Sequence, residues 1–141
     1  MTEYKRVFVD TAPLIYLLEQ NLSYYDRLEK AFSSWYESGT EVITSAITVE
    51  EYCVFPYREN RMDLIENFES FLEGFGVDVF AIDEEIAKKA AWIRGHYPSL
   101  KAMDSIQVAV AELNNCDCFL TNDKQLRQYS SLNCMIVDEM T

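Results

Sequence analysis

The sequence predicts an α/β fold: a central parallel sheet of four to five strands, with helices on both faces, in a single domain spanning residues 1–141. Three observations predict it. Short apolar runs alternate with amphipathic helical stripes from end to end, and that alternation builds a parallel sheet covered by its own crossover helices. The chain has 141 residues, one domain's worth and enough to bury a core without staples. Its composition, 49% hydrophobic and 26% charged, is that of a globular protein, and no repeat, low-complexity tract or linker divides it.

The elements follow in order. Tyr4 to Val9 ends in Val7-Phe8-Val9 and reads as a buried strand. Asp10-Thr11-Ala12-Pro13 follows, and proline suits a first helical turn, so Leu14 to Gln20 begins a helix. Ser23 to Ser38 carries Tyr25, Leu28, Phe32 and Trp35 as a stripe, ended by Gly39. Glu41 to Thr44 is a short strand. Ala46 to Phe55 is a helix expected to stop before Pro56. Arg61 to Glu73 is helical, with Gly74 and Gly76 expected to break it. Val77 to Ile82 reads as a strand. Asp83 is the expected N-cap of a helix reaching His96, and Ala102 to Asn114 forms another helix. Cys118 to Thr121 is a strand, Asp123 to Tyr129 a short helix and Cys134 to Val137 a last strand.

Charge and composition exclude several classes of function. The net charge is −12 and the pI 4.4. A sequence-independent nucleic-acid coat needs a basic surface, so that class is excluded. The balance favours a cation, a basic protein partner, or both. No apolar run nears the roughly 18–20 residues of a membrane span, and Met1 to Arg6 lacks the apolar core of a leader. The cysteines Cys53, Cys116, Cys118 and Cys134 lack zinc-knuckle spacing and are expected to be reduced thiols, which places the protein in the cytoplasm. His96 is the only histidine. It lies near a helix end, where a surface role is expected, and no Ser/His/Asp arrangement has its parts. Neither a G-x-x-x-x-G-K nor a G-x-G-x-x-G motif occurs. Tyr24, Tyr25, Trp35 and Tyr36 are expected on helix faces and in the core rather than as a base-stacking surface.

Two acids sit where open parallel sheets bind ligands, at the carboxyl ends of strands: Asp10 after the first, Asp123 after Phe119-Leu120-Thr121. Asp104 lies near the start of a helix. Each alone reads more readily as a cap or a dipole-favoured carboxylate than as a ligand. Glu51 shares a spacing of four with Ile47 and Phe55, an apolar stripe on which a carboxylate is costly unless paired, protonated or metal-bound. Glu50 has Ala46 and Val54 at the same spacing, so periodicity does not choose between the two.

Four segments together resemble the PIN domain, most closely the VapC-type toxin ribonucleases of toxin–antitoxin pairs. Val7-Phe8-Val9-Asp10-Thr11-Ala12-Pro13-Leu14-Ile15 is similar to the family's opening strand and first acid. Thr44-Ser45-Ala46-Ile47-Thr48-Val49-Glu50-Glu51 resembles its Ser-x-x-Thr-x-x-Glu block, and that spacing selects Glu51. Asp104-Ser105-Ile106-Gln107-Val108-Ala109-Val110-Ala111 resembles the third block, with Ser105 where Ala is usual. Leu120-Thr121-Asn122-Asp123-Lys124-Gln125-Leu126 resembles the fourth. The blocks run in the family's order over Val7 to Leu126.

The resemblance implies a PIN-like three-layer sandwich and hydrolysis of RNA phosphodiester bonds with one or two metal ions. Four clustered carboxylates raise one another's pKa, and hard cations relieve this. Oxygen ligands select Mg²⁺ or Mn²⁺ over zinc, and such an ion activates a water and neutralises the scissile phosphate. Asp10 and Asp104 are the expected direct ligands; Glu51 and Asp123 complete the site. Thr11, Ser45, Thr121 and Asn122 are supporting or substrate-contact candidates. Arg58, Arg61, Arg94, Lys101 and Lys124 are candidate phosphate contacts, foremost Arg58 in the segment after Glu51 and Lys124 beside Asp123, against a bland reading as solvated charge. The expected partners are an RNA, a basic antitoxin that can block the acidic site, and a second copy of the chain. The acidic surface predicts selectivity for one structured RNA. The alternatives are a stand-alone RNA-processing nuclease and a non-catalytic PIN-like binding module. A phosphotransfer domain fits worse: Asp10-Thr11-Ala12 lacks a D-x-D pair, and no lysine follows the last strand.

Overall fold

A computed structural model describes residues 3–141. Five strands form one all-parallel sheet: β1 (Arg6–Val9), β2 (Glu41–Ser45), β3 (Asp78–Phe80), β4 (Cys118–Thr121) and β5 (Cys134–Ile136), in the spatial order β3-β2-β1-β4-β5. The helices are α1 (Thr11–Leu18), α2 (Tyr25–Ser38), α3 (Ala46–Arg58), α4 (Met62–Phe75), α5 (Glu84–His96) and α6 (Ala102–Leu113), with 3₁₀ turns over Lys124–Gln128 and Val137–Glu139. The expected three layers are present.

Strand alternation divides the core in two. Val7, Val9, Val42, Cys118 and Leu120 face α1 to α4 and pack with Leu14, Leu28, Phe32, Tyr52 and Phe68. Phe8, Ile43 and Phe119 face α5 and α6 and pack with Ile86, Ile93, Val108 and Leu126. The period of two sends neighbouring residues of one strand into different layers. Phe8 and Phe119, paired in register, stack with ring centroids 4.9 Å apart.

Several boundaries differ from expectation for local reasons. α1 begins at Thr11, not Leu14, because Asp10 caps it; Pro13 sits in the first turn, where its missing N–H has no helical partner anyway. α3 continues through Pro56 to Arg58, because Pro56 falls in the last turns with its ring buried, which limits the loss to one helical bond. Gly74 lies inside α4, and only Gly76, at φ +91°, ends that helix. The strand expected over Val77 to Ile82 shrinks to Asp78–Phe80 at the sheet edge, where short strands limit unwanted pairing. Asp83 caps α5 through the Ile86 N–H at 2.9 Å, as expected. All four cysteines are free thiols. Among the described residues, no helix is long and apolar enough to cross a membrane.

Gly39 ends α2 at φ +74° with open space where a Cβ would sit. Gly39→Ala therefore meets no clash but pays for the left-handed backbone. A loss of about 1 kcal/mol is expected, read as a shifted urea midpoint at unchanged slope.

Candidate active site

β1 and β4 are neighbours, while the chain leaves β1 toward β2 on the other side. Their carboxyl ends therefore flank a topological switch point, where a crevice opens. Asp10 follows β1 directly, and its N–H donates to the Leu120 carbonyl at 2.9 Å, extending the β1–β4 ladder by one bond. Its Oδ1 accepts from the Thr11 N–H at 2.9 Å and its Oδ2 from the Thr121 hydroxyl at 2.9 Å. Burial, the largest influence, raises the Asp10 carboxyl; these two donors oppose it, and the Glu51 charge adds to it.

Asp104 lies in the first turn of α6. Its carboxyl is pushed up to about 6, first by burial, then by the charges of Asp10 and Asp123, with a further push from Glu51. Lys101, just before the helix, pulls the other way. Four acids from four separate segments thus lie within electrostatic reach of one another. Glu51, in the second turn of α3, accepts from the Thr11 hydroxyl at 2.6 Å. Its neighbour Glu50 points elsewhere and lines a groove between α3 and α4 with Val54, Phe68 and Leu72. Asp123 caps the 3₁₀ turn that follows, accepting from the Gln125 N–H at 3.0 Å, and its own N–H donates to Thr121 Oγ1 at 3.2 Å.

The cost expected from Glu51's apolar stripe does not arise. Glu51 and Phe55 are exposed, and α3 buries Thr48, Tyr52, Cys53 and Pro56 instead. Thr11 and Thr121 are buried and engaged with the acids. Ser45 is fully buried, caps α3 through the Ile47 N–H and donates to Gln107, so it supports the site and does not present itself to a substrate. Asn122 accepts from the Asp138 N–H at 2.9 Å and donates to Tyr16 Oη. Arg58 and Lys124 are exposed; Arg58 lies over the Phe55 ring and near Glu59. Arg61 is tied to Asp63 by two bonds, and Arg94 is exposed at the end of α5. His96 is exposed and stacks on Trp92. Trp35 is buried, Tyr24 and Tyr25 partly buried, and Tyr36 exposed.

Two residues absent from the candidate set bind the site together. Thr48 is fully buried and touches Thr44, Thr11 and Gln107. Gln107 bonds Thr48, Ser45 and Asp10. The available signal was a lone amide within the otherwise apolar Ile106 to Ala111.

The PIN domain family profile matches residues 7–132. The chain belongs to the PIN domain family. Comparison with curated protein sequences gives no match. Among solved structures, this PIN domain superposes on VapBC2 from Rickettsia felis, bound to a promoter DNA fragment, with TM-score 0.79 and 11% identity over 93% of this chain and 98% of that one. FitAcB from Neisseria gonorrhoeae gives 0.76 and 20% over 95% and 99%. Mycobacterium tuberculosis VapC20, described as a sarcin–ricin loop cleaving toxin, gives 0.65 and 16% over 80% and 86%. At these identities the likeness establishes the fold.

The donor set of this PIN domain suits a hard divalent cation. The donors are oxygens, and burial together with the neighbouring carboxylates raises Asp104. Among the described residues, however, no three acidic, histidine or cysteine side chains already surround one point. Glu51 is turned to Thr11 and Asp123 to its own cap.

Proposed function

We propose that this PIN domain is a Mg²⁺- or Mn²⁺-dependent endoribonuclease, acting as the toxin of a toxin–antitoxin pair. One observation carries the reading most: Asp104 feels the charges of Asp10, Asp123 and Glu51 at once. A structural cap has no need of three like charges beside it. Their repulsion is a cost that a cation relieves.

In this reading Asp10 and Asp104 are the direct ligands, and Glu51 and Asp123 complete the set. The ion supplies an activated water and neutralises charge on the scissile phosphate. The protein's own residues supply orientation. Thr121 and the Thr11 backbone hold both oxygens of Asp10, and the Thr11 side chain holds Glu51. Lys124 and Arg58 are exposed cations suited to flanking phosphates.

The net charge of −12 opposes non-specific RNA binding and favours a basic antitoxin. VapBC and FitAB complexes among the structural neighbours support a partner of that kind. The same charge supports recognition of one structured RNA. A second copy of the chain is the other proposed partner, and gel filtration at high concentration tests it: a clean monomer counts against the dimer.

The primary test is cleavage of a synthetic sarcin–ricin hairpin and of total RNA, with Mg²⁺ and with EDTA. Cleavage is expected with Mg²⁺ and its disappearance in EDTA. Cleavage that persists in EDTA overturns the mechanism. A calorimetric titration showing no Mn²⁺ binding points instead to a non-catalytic binding module.

A further inference from the structure

Gln107 lies in the middle of α6 and is only 1% exposed. A buried amide without partners is strongly unfavourable. Here every polar position has a partner, and the chemistry of the partners fixes which way each proton points.

Thr44 has one hydroxyl proton. It approaches the Val9 carbonyl at 2.7 Å, which only accepts, so the proton goes there. Thr48 must then donate across its 2.8 Å contact with Thr44. That leaves Thr48 Oγ1 as an acceptor, filled by Gln107 Nε2 at 2.7 Å. Thr11 gives its proton to Glu51, another acceptor, while lying 3.4 Å from Thr48. The second Gln107 N–H faces Asp10 Oδ1 at 3.4 Å, and the Gln107 oxygen accepts from Ser45. Only one amide orientation satisfies this set, because the nitrogen must face Asp10 and Thr48.

The placement reaches three of the four acids. Gln107 faces Asp10 directly. It lies one helical turn beyond Asp104, on the same side of α6. Through Thr48 it meets the Thr11 side chain that holds Glu51. We propose that Gln107 is a positioning residue: its amide locks the end of β1, the start of α3 and the first turn of α6 into one arrangement and aims the Asp10 carboxylate for a divalent cation. This rests on reading the four acids as a metal site.

The test uses Mn²⁺ alone as the probe. Wild type and Gln107→Leu are titrated by calorimetry and melted in EDTA. Loss of a partner that orients a ligand weakens metal binding by roughly 10-fold or more, and that loss is expected here. A purely structural residue lowers the melting temperature and leaves Mn²⁺ affinity unchanged, and this result overturns the proposal. Wild type that binds no Mn²⁺ overturns the metal-site reading and the proposal with it.

A second measurement needs no variant. In the ¹⁵N-labelled wild type, saturating Mg²⁺ is expected to shift both the Thr11 backbone amide and the Gln107 side-chain amide. A shift at Thr11 with none at Gln107 overturns the proposal alone. No shift at either overturns the cation site as well.

Discussion

Asp10→Asn is expected to reduce Mg²⁺-dependent RNA cleavage by roughly 10³-fold or more. A bound metal supplies several kcal/mol of transition-state stabilisation, and each 1.36 kcal/mol is a factor of ten. The substitution separates chemistry from folding unusually well. Asparagine caps a helix about as well as aspartate, so the bond to the Thr11 N–H survives. The amide also removes a partly buried charge. The variant gives up the Thr121 bond to Oδ2 in exchange for the lost charge, and should therefore melt near the wild-type temperature in EDTA while losing cleavage and Mn²⁺ binding. Cleavage at near-wild-type rate by a folded Asp10→Asn protein would falsify the assigned role.

Asp104→Asn is expected to abolish cleavage to a similar extent while stabilising the metal-free protein. The Asp104 carboxyl sits near 6 in the fold, against 3.8 for an ordinary aspartate. A raised carboxyl pKa means that the folded state holds the proton more tightly than the unfolded state does. The group's contribution is most favourable below 3.8 and is lost as pH rises through 6. At pH 7 the whole shift corresponds to about 3 kcal/mol, reduced to about 1–2 kcal/mol by solvent screening of a partly exposed group. Losing a first-turn carboxylate costs about 0.3–1 kcal/mol of helix-dipole interaction in return. The net gain should raise the melting temperature in EDTA by roughly 2–5 °C at pH 7 and vanish as pH falls toward 4. Saturating Mg²⁺ should reverse the order, since only the wild type gains binding energy from the ion. Thermal melts at pH 7 and pH 4, each with EDTA and with Mg²⁺, provide the check. A variant less stable than wild type in EDTA at pH 7 would remove the charge-repulsion account.

Local chemistry read well where it was self-contained. Val7-Phe8-Val9, Ile43 and Cys118 to Leu120 announced buried strands, because strands covered on both faces carry apolar residues throughout. Asp83 and Gly39 announced helix ends, because caps and left-handed turns are properties of single residues. Pro56 and Gly74 misled for the converse reason. Each disfavours a helix interior, but the rings of Tyr52 and Phe68, stacked 4.1 Å apart between α3 and α4, belong to packing that outweighs the penalty.

The site divides in the same way. The four acids were legible as residue types at ordered spacings, and motif spacing singled out Glu51 over Glu50 where the period of 3.6 did not. The tertiary structure gave the physical difference: Glu51 meets Thr11, and Glu50 turns to the α3–α4 groove. Thr48 was visible as the threonine of the Ser-x-x-Thr-x-x-Glu block and Gln107 as a lone amide, but neither part was legible, since it depends on which atoms of other segments they meet. By itself the sequence determined the layers and the order of the elements, because period and caps are local, and it offered the four acids as candidates. Only the tertiary structure decided the proton arrangement that joins Asp10, Thr48, Ser45 and Gln107, because each bond in it spans segments far apart in the chain.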